Sequence, residues 1–180
     1  MRRSGWQAML LALGMAACSL PDAPVWAVDF FFPIDFPDID LNDYAVAGEI
    51  PPIDVTLAST PQTQDITGLL EEFLSDDLNA LAAEVVTGVP VDITGTLAVV
   101  IATSPTRLAF PDSSITVQIA VAQGTDTTRV DVDPALVRNA IALYYQARGT
   151  LRGSGAGTPV GPGDRIRLDV NLLANYQVSR

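Results

Sequence analysis

The chain has no histidine and no lysine, and its one cysteine, Cys18, stands near the start. Each absence removes a chemistry. Without histidine there is no Ser-His-Asp or Cys-His arrangement and no imidazole metal site; without lysine there is no Schiff base and no Ser-Lys pair. With a single cysteine no internal disulfide forms, so stability rests on the hydrophobic core. Basic charge is scarce as well: all ten basic residues are Arg, against 21 Asp and Glu, for a formal net charge of −11. From residue 28 to 105 there are fourteen acidic residues and no Arg; from 106 to 180 there are six acidic residues and eight Arg. A field of that sign repels phosphate, which argues against nucleic acid and anionic membrane surfaces as partners.

What is present begins with a leader. Arg2 and Arg3 precede an apolar stretch of fifteen residues from Trp6 to Leu20, followed by Pro21 and a small-residue exit at Val25, Trp26 and Ala27. Charged, apolar and cleavable regions in that order are those of a signal peptide. The stretch is shorter than the roughly 17 to 25 apolar residues a membrane span needs. Two processing sites are open. Met15, Ala16, Ala17 and Cys18 resemble the lipobox of bacterial lipoproteins, with Met15 where Leu is usual, which implies lipid attachment at Cys18 and a membrane anchor on the extracytoplasmic side. The other site lies after Ala27, which yields a periplasmic or secreted chain. Residues 1–27 are therefore read as leader.

Residues 28–64 form an acidic segment interrupted by Pro33, Pro37, Pro51, Pro52 and Pro61, which excludes a helix and predicts one or two strands. Phe30, Phe31, Phe32 and Phe36 are expected to form a first strand or plug the core, with a membrane-proximal or partner-binding patch as the alternative, and Ile53, Val55 and Leu57 alternate with Asp54, Thr56 and Ala58 as a half-buried strand does. Residues 65–180 are expected to join these strands in one globular unit. Within them, Leu70, Phe73, Leu74, Leu78, Leu81, Ala82 and Val85 recur at three- and four-residue steps, predicting an amphipathic helix over 67–86 closed by Gly88. Strict alternation then predicts strands over 91–102, 115–121, 128–132, 143–152 and 166–178, the last two as a hairpin. Asp133 and Pro134 mark the start of a short helical turn. The sum is a mainly β fold: an antiparallel β-sandwich or partly open barrel, Ig-like in general architecture, with one helix packed on it.

No motif rises to a catalytic, cofactor or metal assignment. Asp38, Asp40, Asn42 and Glu49 occupy positions 1, 3, 5 and 12 of a calcium-loop template, but position 6 is Asp43 where glycine is required, and prolines bar both flanking helices. Gly153 to Gly157 lacks the lysine and the following helix of a phosphate loop, and reads as a connecting loop. The expectation is an exported, envelope-anchored β-domain with a structural or binding role, no catalytic activity and no cofactor. Its partners are a membrane, reached through the Cys18 lipid, and an envelope component. The alternative is a carrier of lipid or another apolar ligand, with the 67–86 helix closing a cavity.

Overall fold

Period-two alternation dominates the chain, and in a computed structural model describing residues 26–66, 78–137 and 140–178 it becomes strand. The strands are β1 (Trp26–Ile34), β2 (Ile39–Asp40), β3 (Glu49–Ile50), β4 (Val55–Ala58), β5 (Gln62–Asp65), β6 (Leu78–Val89), β7 (Ile93–Ala102), β8 (Ile115–Val121), β9 (Gly124–Val132), β10 (Ala142–Gly153), β11 (Thr158–Pro159) and β12 (Arg165–Val178). All pairings among them are antiparallel. One sheet runs β1, β12, β6, β9, with β2 also on β12; a second runs β4, β10, β7, β8, with β5 also on β10. A two-residue ladder joins β3 to β11.

The pairings nest. Taking β1 with β2 and β4 with β5 as interrupted edge strands, β1 pairs with β12, β4 and β5 with β10, β6 with β9, and β7 with β8. That is one long double-stranded ribbon whose tip is the β7–β8 connection. Rolling the ribbon up brings β12 against β6 and β10 against β7, and the result is a jelly-roll winding of two sheets. The expected antiparallel sandwich is present, but its strand order is not the immunoglobulin one. The two long C-terminal strands also differ from expectation: β10 and β12 lie in opposite sheets instead of forming a hairpin.

The helix expected over 67–86 is not found in its described part. Residues 78–86 belong to β6, a central strand paired on both sides, with Val85 opposite Val170 on β12 and Thr128 on β9; residues 67–77 lie outside the described residues. Leu81, Ala83, Val85 and Val89 face the core, each at most 4% exposed, so a period of two runs beneath the apparent period of 3.6. Two flanking strands outweigh a local propensity that alanines make ambiguous.

Between the sheets, Leu81, Val85, Leu168, Val170 and Leu172 on one side meet Leu97, Val99, Ile101, Leu143, Leu151, Val117 and Ile119 on the other in one continuous core. Full burial of each such side chain contributes about 1.5–3 kcal/mol. A second, smaller cluster lies on the outside of the β7 sheet. There Leu108, in a 3-10 turn of the β7–β8 connection, covers Ala98, Val100 and Ala102, with Tyr144 against them.

Residues 31–52 are a packed part of this structure. Ile34, Phe36, Ile39, Leu41 and Ile50 are buried in the main core. The crossing from β1 to β2 is tied to the opposite sheet: Tyr145 donates its hydroxyl to the Asp35 carbonyl at 2.6 Å, with its ring 5.2 Å from that of Phe36. Gln64 accepts from the Asp35 N–H at 3.0 Å and donates to the Pro33 carbonyl at 3.3 Å.

The register also fixes the two ends. Trp26 pairs with Val178, Leu81 with Val132, and Tyr144 with Ala102, so the start of β1 shares one end of the sandwich with the β7–β8 and β9–β10 connections. The opposite end holds the β6–β7, β8–β9 and β10–β12 connections, together with the segment leading from β1 into β4.

Candidate functional site: an arginine-bearing hollow

The residues of the calcium-loop template do not converge. Asp40 caps a 3-10 turn, Leu41–Tyr44, and its Oδ1 accepts from the Asn42 backbone N–H at 3.0 Å and from the Asn42 side-chain amide at 2.9 Å. The Asn42 amide also donates to the Gly161 carbonyl at 3.1 Å. Glu49 sits apart in β3, on the ladder with Pro159. Hydrogen bonds from the Asn42 side chain, then from its backbone, hold the Asp40 carboxyl below the usual carboxylate range, and Arg165 adds to this. Among the described residues no three carboxylates or thiolates group as metal ligands do. Asp40 and Asn42 are thus turn-forming residues. The Gly153–Gly157 stretch is likewise structural: the Thr158 hydroxyl accepts from the Ser154 N–H at 2.8 Å and donates to the Asp92 carbonyl at 2.6 Å, closing the loop back on the entry to β7. Cys18 lies outside the described residues.

Among the described residues, three hollows stand out on the surface. One of about 330 Å³ lies on the outside of the β1 sheet, over Ala82, Leu173 and Phe31, with Arg129 and Asp131 beside it. A second, of about 310 Å³, lies beside Asp40 and Tyr44. The Tyr44 hydroxyl there is pushed above its ordinary pKa by burial, with Asp43 adding to the effect.

The third, of about 490 Å³, lies at the end of the sandwich opposite the start of β1, and it alone of the three gathers two guanidinium groups. Its walls include Asp38, Gly88, Gly124, Thr125, Arg165 and Arg167. The sequence places them simply. In β12, Ile166, Leu168 and Val170 point into the core, so Arg165 and Arg167 both point outward. Register then sets Arg167 beside Gly88 of β6, and Gly88 beside Thr125 of β9. Arg165 is loosely engaged, its Nε 3.8 Å from Asp40 Oδ2 across half-exposed side chains, a pair that solvent screens. The Arg167 side chain forms no hydrogen bond or ion pair among the described residues and is exposed. In a chain this acidic, the hollow is a local exception. Sequence reading missed it because the two arginines look like ordinary polar partners of an alternating strand. The one available signal was a glycine, Gly88, inside a long strand.

Among the described residues no helix is long and apolar enough to cross a membrane. No family model matches the chain, and no curated protein matches it. Among solved structures, a chain from Desmodium yellow mottle tymovirus matches over 90% of this chain and 91% of its own length, at 10% identity and a TM-score of 0.34, a likeness too low to bear on fold or function.

Proposed function

We propose that the chain is an exported β-sandwich held to the outer side of a membrane through a lipid on Cys18, acting as a binding module without catalysis. One observation supports this above the rest. β1 begins at Trp26 and pairs Trp26 with Val178 and Ala27 with Gln177. Processing at Cys18 leaves that strand whole, whereas cleavage after Ala27 removes its first two paired residues. Seven residues, 19–25, then separate the lipid from the fold. At about 3.3–3.6 Å per extended residue they reach at most roughly 25 Å, which holds the end of the sandwich nearest Trp26 toward the bilayer and turns the arginine-bearing hollow outward. The absence of histidine and lysine supports the non-catalytic part of the reading.

The alternative, a carrier of an apolar ligand, draws less support from the described residues. The helix meant to close its cavity is, over residues 78–86, a central strand, and the side chains that were to line a pocket fill the core.

The test is intact mass of the protein from membrane and soluble fractions of its native host, beside a Cys18→Ala variant. A lipid-modified N-terminus at Cys18 that disappears in the variant supports the tether. A soluble chain beginning at Val28 overturns it.

A further inference from the structure

Glycine inside a central strand costs stability, so its presence asks for a reason. Gly95, Gly149 and Gly153 have one: a Cβ at those positions would lie 2.0, 1.9 and 2.1 Å from a backbone oxygen of the neighbouring chain segment. Gly88 has none of this kind. Its φ is not positive, and an added Cβ would meet only the Arg167 Cβ at 3.7 Å, an ordinary contact. The fold accepts a side chain at 88; what a side chain there takes away is the floor of the hollow between Arg167 and Thr125.

We infer that this hollow binds a small, singly charged carboxylate that also carries a hydroxyl or ammonium group. The Arg167 side chain, with no partner among the described residues, offers a planar fork that a carboxylate meets with two parallel hydrogen bonds. Arg165, one step along the same face, adds charge but is shared with Asp40 at 3.8 Å. Asp38, on the wall, accepts hydrogen bonds and repels a second negative charge, so it favours a ligand with a donor beside its carboxylate. Asp169 lies two residues beyond Arg167 on the outward face of β12. Together with the net charge of −11, these carboxylates disfavour polyanions and doubly charged phosphate. Thr125 supplies a hydroxyl on the far side of the Gly88 floor. This deepens the binding role proposed above but does not need the anchor, so its failure leaves the Cys18 result untouched.

The experiment is a titration of the mature chain with lactate, acetate, inorganic phosphate and heparin, followed by amide NMR shifts and calorimetry. Saturable shifts at Gly88 and Thr125 with lactate, weaker with acetate, are expected. Arg167→Gln should weaken lactate binding by at least about tenfold, the effect of losing one charge-assisted contact. Gly88→Val should abolish it with the melting temperature and remaining amide spectrum retained, and Arg148→Gln, on the other sheet, should leave it unchanged. Non-saturating shifts, lactate binding that survives Arg167→Gln, or tighter binding of phosphate or heparin than of lactate would each overturn the assignment.

Discussion

The contrast between two glycines gives the sharpest test of the sandwich, because one substitution made at two strand positions should have effects of opposite sign. At Gly149 of β10, an alanine Cβ would sit 1.9 Å from the Thr96 carbonyl oxygen of β7 and 2.9 Å from its carbon. Reaching an ordinary contact of 3.4 Å requires the two strands to part by about 1.5 Å in the middle of a ladder that runs from Tyr144–Ala102 to Gly153–Ile93. Overpacking costs about 1–3 kcal/mol, and each ladder hydrogen bond stretched beyond use costs about 1 kcal/mol more, so Gly149→Ala should lose roughly 3 kcal/mol. That is a large share of the 5–15 kcal/mol typical of a domain. At Gly88 the nearest atom to the new Cβ is 3.7 Å away, so Gly88→Ala should gain about 0.4–1 kcal/mol by restricting the unfolded chain. Urea unfolding of the mature chain, followed by tryptophan fluorescence and circular dichroism, measures both. With a slope near 2 kcal/mol/M, the Gly149→Ala midpoint should fall by about 1.5 M and the Gly88→Ala midpoint should rise slightly. A Gly149→Ala protein as stable as the parent, or losses of equal size at the two sites, would refute the close approach of β7 and β10 and, with it, the argument that Gly88 is free of a structural duty.

Further outcomes follow from individual side chains. The Thr116 hydroxyl is buried with no hydrogen-bond partner, and Thr116 stands opposite Val100 of the small apolar cluster; Thr116→Val should raise stability by about 1 kcal/mol, or roughly 2–4 °C in melting temperature by calorimetry, and a fall would show that the hydroxyl is satisfied. Tyr145→Phe removes the bond to the Asp35 carbonyl and should cost about 1 kcal/mol near neutral pH. Burial first, and Asp35 second, raise the Tyr145 pKa above its ordinary 10.0. The unfolded chain therefore ionises first: the contribution is complete below pH 10 and lost as pH climbs through the raised value, so alkaline denaturation followed at 295 nm should be shallower in the Phe variant. Calcium at millimolar concentration should leave the melting temperature unchanged, because Asp40 and Asn42 are committed to their turn and Glu49 lies elsewhere; a rise of several degrees would show that the acidic loop rearranges around the ion.

Most strands were legible because their alternation survives translation into burial. Ile115, Val117, Ile119 and Val121 are buried and Gln118 and Ala120 exposed, as a period of two demands, and Asp133 caps its turn by accepting from the Ala135 N–H at 2.9 Å. β6 was not legible, because Leu81, Ala82 and Val85 satisfy a helical spacing while Leu81, Ala83 and Val85 satisfy a strand one. Ala82 is buried on the outer face and Ala83 on the inner, so neither alanine tells the patterns apart. The pairing of β10 and β12 failed for a different reason. Alternation identifies a strand but says nothing of its partner, and the loop of residues 154–164 between them is long enough to carry the chain from one sheet to the other. The candidate site was hidden for the same reason. Gly88, Thr125 and Arg167 are far apart in sequence, and only the order β12, β6, β9 puts them in one row.

That order also keeps the proposed anchor at Cys18 and the proposed binding hollow at opposite ends of the fold. In a rolled ribbon each long strand reverses the direction of the one before it, so β1, β6, β8 and β10 start at the end nearest Trp26, and β7, β9 and β12 start at the other. A chain entering at the first end can build a site from the last turn of β6, the first residues of β9 and the first residues of β12 only at the second. Gly88 near the end of β6, Gly124 and Thr125 at the start of β9, and Arg165 and Arg167 at the start of β12 satisfy that condition together. The proposed tether would therefore join the fold at the end away from the hollow, with the length of the strands between the attachment point and the site. β6, with twelve residues at about 3.3 Å each, sets that separation at roughly 40 Å. Lengthening the 19–25 segment should leave ligand binding unchanged, whereas moving the lipid-bearing segment to the β8–β9 connection should occlude the hollow. Equal binding in both arrangements would contradict the placement of the hollow at the far end.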